Sequence, residues 1–259
     1  MIPAALEARG LHVARGARAV LQGLDLSLPA GRWTAIVGPN GAGKTTLLQA
    51  LGCLLPVQGQ VMWHGQDAAR LGARERARRV AWLGQGEVGG EDLRVHDLVM
   101  LGRLPHQAWL ATPSAQDQAA VSEAMRQTGC QDWRDRPFGQ LSGGERQRVL
   151  LARALAVQAP VMLMDEPLAH LDPPHQSDWL SLVCETVRAG GTVVSVLHEL
   201  NMALQADALV LMDQGRVAHQ GDCADPLTHR ALERVFAHRV RVQAAGSSWV
   251  VLPSDAARS

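Results

Sequence analysis

Tyrosine is missing from all 259 residues and phenylalanine occurs twice, so any base the chain stacks must rest on something other than a tyrosine ring. No apolar run approaches the length that crosses a bilayer, and Met1–Glu7 lacks the basic and apolar regions of a signal peptide. A chain with neither a membrane span nor a leader is the expectation. Net charge is absent as well. Lys+Arg and Asp+Glu both number 25, so no overall field draws the protein to nucleic acid or to an anionic membrane. Cys53, Cys130, Cys184 and Cys223 stand far apart, without metal-binding or redox spacing, as reduced packing residues of a cytosolic protein would. Ten histidines form no ligand pattern, and there is no internal repeat or low-complexity tract. What remains is a globular mixture, 47% hydrophobic and 19% charged, long enough for one large or two small domains.

Against these absences stands Gly38-Pro39-Asn40-Gly41-Ala42-Gly43-Lys44-Thr45: a glycine, four residues, then Gly-Lys-Thr. Thr34-Ala35-Ile36-Val37 ahead of it is short, apolar and β-branched and reads as a buried strand, and Thr46-Leu47-Leu48-Gln49-Ala50-Leu51 after it reads as a helix. Strand, glycine turn and helix N-terminus together make a phosphate-binding loop. The glycines let backbone N–H groups point inward, and the helix dipole adds positive potential. Lys44 supplies a point charge for β- and γ-phosphates, Thr45 offers a hydroxyl to Mg²⁺, and the nucleotide-binding set runs on through Thr46.

The rest of the chain supports this centre. Residues 6–28 alternate in short pieces punctuated by Gly16 and Gly23, predicting a small antiparallel sheet of strands and tight turns. Residues 60–63 with Gly65 read as a hairpin, 70–79 as a short arginine-rich helix, and 86–90 as a glycine linker. From 92 to 155 the pattern is helical, clearest at 121–128 and 144–155, where Ser142 can cap and Glu145 favours the first turn. Helices are predicted at 175–188 and 227–236, a hairpin at 209–218, and strands at 239–243 and 248–252.

Four apolar strands each end in a polar residue suited to phosphate chemistry: 34–37 before the loop, 80–83 before Gln85, 161–164 before Asp165-Glu166, and 192–197 before His198. Continuous apolar strands alternating with helices predict an α/β fold with a mostly parallel sheet covered on both faces. Ligands of such sheets gather beyond the carboxyl ends of the strands, so these residues are expected at one edge. Asp165 is placed to hold Mg²⁺, directly or through its water, and Glu166 to orient or deprotonate the attacking water. Gln85 can coordinate the metal or the water. His198 can donate to the γ-phosphate or hold Glu166 and the water.

Leu141-Ser142-Gly143-Gly144-Glu145-Arg146-Gln147, between the phosphate loop and the acidic strand, resembles the signature motif of ABC-type ATPases, and the resemblance runs from about Leu6 to about Phe236. It implies a P-loop NTPase with an ATPase domain over 4–240 (core 4–90 and 156–240, helical subdomain about 91–155, small antiparallel β subdomain) and a C-terminal strand and tail at 241–259. It implies two copies facing head to tail, ATP lying between the Lys44 loop of one and Ser142-Gly143-Gly144 of the other, with Asp172 in the loop that crosses the dimer. Transmembrane permease subunits would dock on the helical subdomain at the cytoplasmic face of the inner membrane, fed by a substrate-binding protein, with no nucleic acid involved. Val95–Val99, Gly102-Arg103-Leu104-Pro105-His106, Pro173-Pro174-His175-Gln176 and the strands around Trp249 resemble importers of iron-siderophores, haem and vitamin B12. Gly102-Arg103 reads equally as a helix end with a solvated arginine. A soluble ABC ATPase acting on nucleic acid or ribosomes and an exporter subunit share the catalytic motifs. Three positions depart from the family pattern. Arg15 stands where an aromatic usually stacks on adenine, and is either a stacking plane or a solvated strand-edge residue. Ala169 replaces a small polar residue, and Glu199 replaces an aspartate.

Overall fold

A computed structural model describes residues 3–16, 18–85, 90–246 and 248–254, and the chain divides into two compact units, Met1–Arg70 with Thr192–Ser259, and Leu71–Gly191. The first unit opens with two antiparallel strands of twelve residues, β1 (Ala4–Arg15) and β2 (Arg18–Pro29). Leu24, Leu26 and Leu28 turn inward at every second position and leave Asp25 and Ser27 outside, the period that a half-buried strand requires. The short pieces expected on either side of Gly23 are one strand. Leu24 pairs with Leu11 but Leu21 with Val13, so β2 carries an extra residue there, and Gly23, at φ 64°, takes up the bulge. β3 (Trp33–Val37) is wholly buried and is followed by α1 (Lys44–Leu51). β4 (Gln58–Trp63) and β5 (Gln66–Asp67) complete a sheet ordered β2-β1-β4-β5.

The second unit begins with α2 (Ala73–Arg79), which runs directly into β6 (Val80–Leu83). Residues 86–89 of the expected glycine linker lie outside the described residues. α3 (Val95–Met100), α4 (Ala115–Gln127) and α5 (Gly143–Ala156) pack on one another, and β7 (Val161–Asp165) and α6 (Pro173–Arg188) follow. β6 and β7 are parallel, with Leu83 opposite Met164. α4 starts six residues before the expected 121. Ser114 accepts from the Asp117 N–H at 3.2 Å while the Asp117 carboxylate accepts from the Ser114 N–H at 2.9 Å, a capping box that satisfies both orphan donors.

The chain then returns to the first unit as β8 (Thr192–Val196), α7 (Leu200–Ala203), β9 (Ala208–Asp213), β10 (Arg216–Asp222) and α8 (Pro226–Val235). β3 lies between β8 and β9 and is parallel to both, with β10 antiparallel beyond β9. β11 (Val240–Ala245) and β12 (Ser248–Pro253) form a terminal hairpin. The Asn201 side chain seats that hairpin, accepting from the Val251 N–H at 2.6 Å and donating to its carbonyl at 3.4 Å. Buried tryptophans satisfy their indole N–H groups inside each unit: Trp33 on Ser195 Oγ, Trp63 on the Leu51 carbonyl, Trp179 on Met164 Sδ. Among the described residues no cysteine forms a disulfide, and burial pushes the Cys130 thiol up and that of Cys223 to about 12. Among the described residues no helix is long and apolar enough to cross a membrane.

Candidate functional site

In the first unit the phosphate loop links β3 to α1. Gly43, at φ 97°, is the N-cap of α1, and no side chain caps the end that carries Lys44, Thr45 and Thr46. Lys44 is buried, and its Nζ donates to the carbonyls of Gly38 at 2.9 Å and Pro39 at 3.1 Å, which holds the ammonium inside the curl of the loop. The glycines are required for different reasons. A Cβ at Gly38 would overlap the Met212 carbonyl oxygen of β9, and one at Gly43 would press on Leu21, whereas Gly41 faces open space at φ 79° and is needed for its backbone. Asn40 is exposed at the loop tip, and Ala42 packs inward while accepting from the Gly215 N–H at 3.0 Å.

β8 delivers His198 to the same loop. Val196 pairs with Ile36 and the Leu197 N–H donates to the Ile36 carbonyl at 3.2 Å, so the exposed His198 reaches the register level of Gly38. Arg15, at the end of β1, is exposed and donates to Gln49 Oε1 of α1 at 3.1 Å, so a contact to α1 is what anchors it. Glu199 occupies the N-cap of α7.

The acidic residues belong to the second unit. Asp165 closes β7 and is 1% exposed, and Glu166 follows at φ 52°. A left-handed backbone costs a non-glycine residue about 1–2 kcal/mol, and Pro167 restricts the preceding residue further, so this carboxylate is held in a conformation its sequence does not favour. Gln85 meets it: Nε2 donates to Glu166 Oε2 at 2.6 Å. The contact follows from register, because Leu83 opposes Met164 and each functional residue lies two positions further on.

Ser142 and Glu145 form the expected cap. The Glu145 carboxylate accepts from the Ser142 N–H at 2.8 Å and Ser142 Oγ from the Glu145 N–H at 3.4 Å, and the first of these bonds is the main reason the Glu145 carboxyl titrates below the ordinary glutamate range. Gly143 and Gly144 lie against the turn at His170–Leu171, and a Cβ on Gly144 would stand 3.1 Å from the His170 carbonyl oxygen. That turn leads to Asp172, the N-cap of α6, which accepts from the His175 N–H at 3.3 Å. Two residues with no role in the sequence reading complete the setting. Arg146 donates to the carbonyls of Leu141 and Gly139 and lies over the Phe138 ring, while Gln147 donates to the Pro167 carbonyl at 3.0 Å, tying α5 to the turn that carries Glu166. Both follow the Ser-Gly-Gly run within the motif, which is the signal that marks them.

Arg103 is not the solvated helix end that Gly102-Arg103 allows. It is 2% exposed. Its Nε donates to Asp117 Oδ1 at 2.9 Å and its Nη1 to the Ala156 carbonyl at 2.8 Å and Gln158 Oε1 at 3.0 Å. The Ser114 hydroxyl first, and Arg103 second, hold the Asp117 carboxyl at about 2.

Residues 21–169 match the family described as ABC transporter. The hemin import ATP-binding protein HmuV of Streptomyces coelicolor is 44% identical over 238 residues, covering 91% of this chain and 84% of that protein. The ferric enterobactin transport ATP-binding protein FepC of Escherichia coli is 37% identical over 242 residues, covering 92% and 89%. A solved transporter chain described as of metal-chelate type, in an inward-facing conformation, superposes with a TM-score of 0.81 at 26% identity, over 100% of both chains. With the matched stretch spanning more than half of its length and relatives aligned over about nine tenths of it, this chain belongs to the ABC transporter family.

Proposed function

We propose that this chain is the ATP-hydrolysing subunit of an ABC importer and powers uptake of haem, a ferric siderophore or cobalamin through a separate membrane permease. The observation that carries the reading is the Gln85–Glu166 contact directly beyond the buried Asp165: a carboxylate set by a neutral amide, next to one suited to a metal. The names of the relatives, import and transport ATP-binding proteins, supply the direction of transport.

ATP is bound through the loop from Gly38 to Thr46, with Lys44 on the β- and γ-phosphates and the uncapped start of α1 toward their charge. Glu166, oriented by Gln85, takes the proton of the attacking water, and His198 donates a hydrogen bond to the γ-phosphate. Mg²⁺ takes one or two protein ligands and completes its shell with phosphate oxygens and water. Thr45 and Asp165 would be those ligands, with Gln85 a third candidate. When bound, the ion neutralises charge that develops on the phosphates. Ser142, Gly143 and Gly144 of a second copy close on the γ-phosphate, Asp172 crosses between the copies, and Arg15 lies under the adenine. The side chains of Leu101, Leu104, Trp109 and Leu110, all exposed, form the contact with the permease, which holds the chain at the cytoplasmic face of the membrane. A binding protein outside the chain selects the cargo, and nucleic acid has no part.

The test is uptake of labelled haem, ferric siderophore and vitamin B12 by vesicles holding the permease and this chain. One cargo accumulates with ATP, and Lys44→Ala lowers ATP hydrolysis and uptake by about 100-fold or more. Normal hydrolysis in that variant, or hydrolysis stimulated by ribosomes or DNA but not by the permease, would falsify the assignment.

A further inference from the structure

The segment from Leu101 to Leu110 is buried at one end and bare at the other. Arg103 is sealed between α4 and α5, whereas Trp109 and Leu110 are 89% and 90% exposed. Between them lies a turn tied from two sides. On one side it holds the C-terminal end of α5. Arg103 donates to the Ala156 carbonyl, and His106 Nε2 bonds the Val157 carbonyl at 2.8 Å. A carbonyl only accepts, so Nε2 carries the proton. On the other side α2 reaches in. Arg74 and Arg78, one helical turn apart, each donate Nε–H to the carbonyl of Pro105, at 3.0 and 2.7 Å, and so engage both lone pairs of that oxygen.

Each tied element leads to a residue of the candidate site. α5 begins directly after Ser142, and α2 continues without a break into β6, two residues short of Gln85. A helix of fourteen residues is a stiff rod of about 21 Å, so a shift at its Ser142 end moves its Ala156 end as well. The two sets of ties differ in strength. The Arg103–Asp117 pair is sealed from water, while the Arg74 and Arg78 bonds are exposed and can open at small cost.

We propose that the turn at 101–107 is a joint through which the exposed Trp109 loop and the nucleotide-handling residues Gln85 and Ser142 sense one another, with Arg103 its fixed anchor and the Arg74 and Arg78 bonds to Pro105 its working contacts. Arg74, Arg78 and Arg103 are positioning residues and touch no nucleotide. The inference rests on the reading of the chain as an ATPase subunit. Linkage makes it reciprocal: whatever nucleotide does to the loop, a partner on the loop does to nucleotide affinity.

The experiment is amide hydrogen exchange on the full chain with and without ATP and Mg²⁺, in a Glu166→Gln background that stops turnover. ATP slows exchange of the amides in 104–111 by about 5-fold, the lower range of measured coupling. Arg74→Gln/Arg78→Gln leaves ATP affinity and Tm unchanged, because both side chains are exposed, but removes most of that response, and each single variant removes part. A purely structural role would move Tm and leave the response alone. A response undiminished in the double variant, or a loop indifferent to ATP that is demonstrably bound, overturns the proposal. Failure of the chain to bind ATP at all overturns instead the ATPase reading, and this one with it.

Discussion

Gln85 has two possible duties, metal ligand or orienter of Glu166, and a double-mutant cycle separates them. Its amide donates to the carboxylate at 2.6 Å in a site open to solvent. A hydrogen bond to a charged group contributes about 1.5–3 kcal/mol, and exposure puts this one near about 1.5 kcal/mol, or roughly tenfold in rate. Gln85→Ala is therefore expected to lower kcat about tenfold with KM for ATP nearly unchanged. Glu166→Gln is a clean removal of the base. Glutamine has the same shape, bears the same left-handed φ and still accepts from Gln85, so ATP affinity persists while kcat falls by about 10²–10⁴. If Gln85 acts through Glu166, Gln85→Ala/Glu166→Gln is no slower than Glu166→Gln alone. Steady-state hydrolysis at saturating Mg²⁺ and ATP decides. A further tenfold loss in the double variant would refute the orienting role and make Gln85 an independent ligand of metal or water.

Arg103→Met is expected to cost about 3 kcal/mol in denaturant unfolding, because it leaves the buried Asp117 carboxylate without its cation and held by Ser114 alone; a loss under about 1 kcal/mol would contradict the buried pair. The same carboxyl sets an acid limb. Its folded pKa of about 2 lies below the ordinary 3.8, so the stabilisation is complete above the ordinary value and drains as pH falls through the folded one. At neutral pH it contributes about 2 kcal/mol, roughly half of it gone by about pH 3, and Asp117→Asn should flatten that part of the stability profile. Asn201→Ala removes the side chain that pairs with both backbone groups of Val251. The β12 amides should then exchange faster, with about 1 kcal/mol lost.

Strands 80–83, 161–165 and 192–196 were legible because a strand covered on both faces is a short unbroken apolar run, and Gln85, Asp165 and His198 stand at or within two positions of their ends. Which strands neighbour one another is not written in such runs. The approach of Gln85 to Glu166, eighty-one positions apart, emerges only with the β6–β7 register. The start of α4 escaped because residues 115–118 carry no apolar period, although Ser114 and Asp117 had the spacing of a capping box. Gly23 read as a turn because a left-handed glycine looks the same in sequence whether it reverses a chain or bulges one. Arg103 was ambiguous for a related reason: its burial depends on Asp117 and on the end of α5, fourteen and more than fifty residues away. The signature motif was plain, yet Arg146 and Gln147 within it gained roles only from the carbonyls they meet.

The missing tyrosine has an optical consequence. All seven indoles emit without a phenol to feed or mask them, and three of them, Trp33, Trp63 and Trp179, are sealed in the interior. Trp109 stands almost wholly in water on the loop assigned to the permease. At 89% exposure its emission is expected to be the reddest of the set and the first that acrylamide quenches. A blue shift and loss of quenching on mixing with permease vesicles would report docking in real time, with no label on the protein.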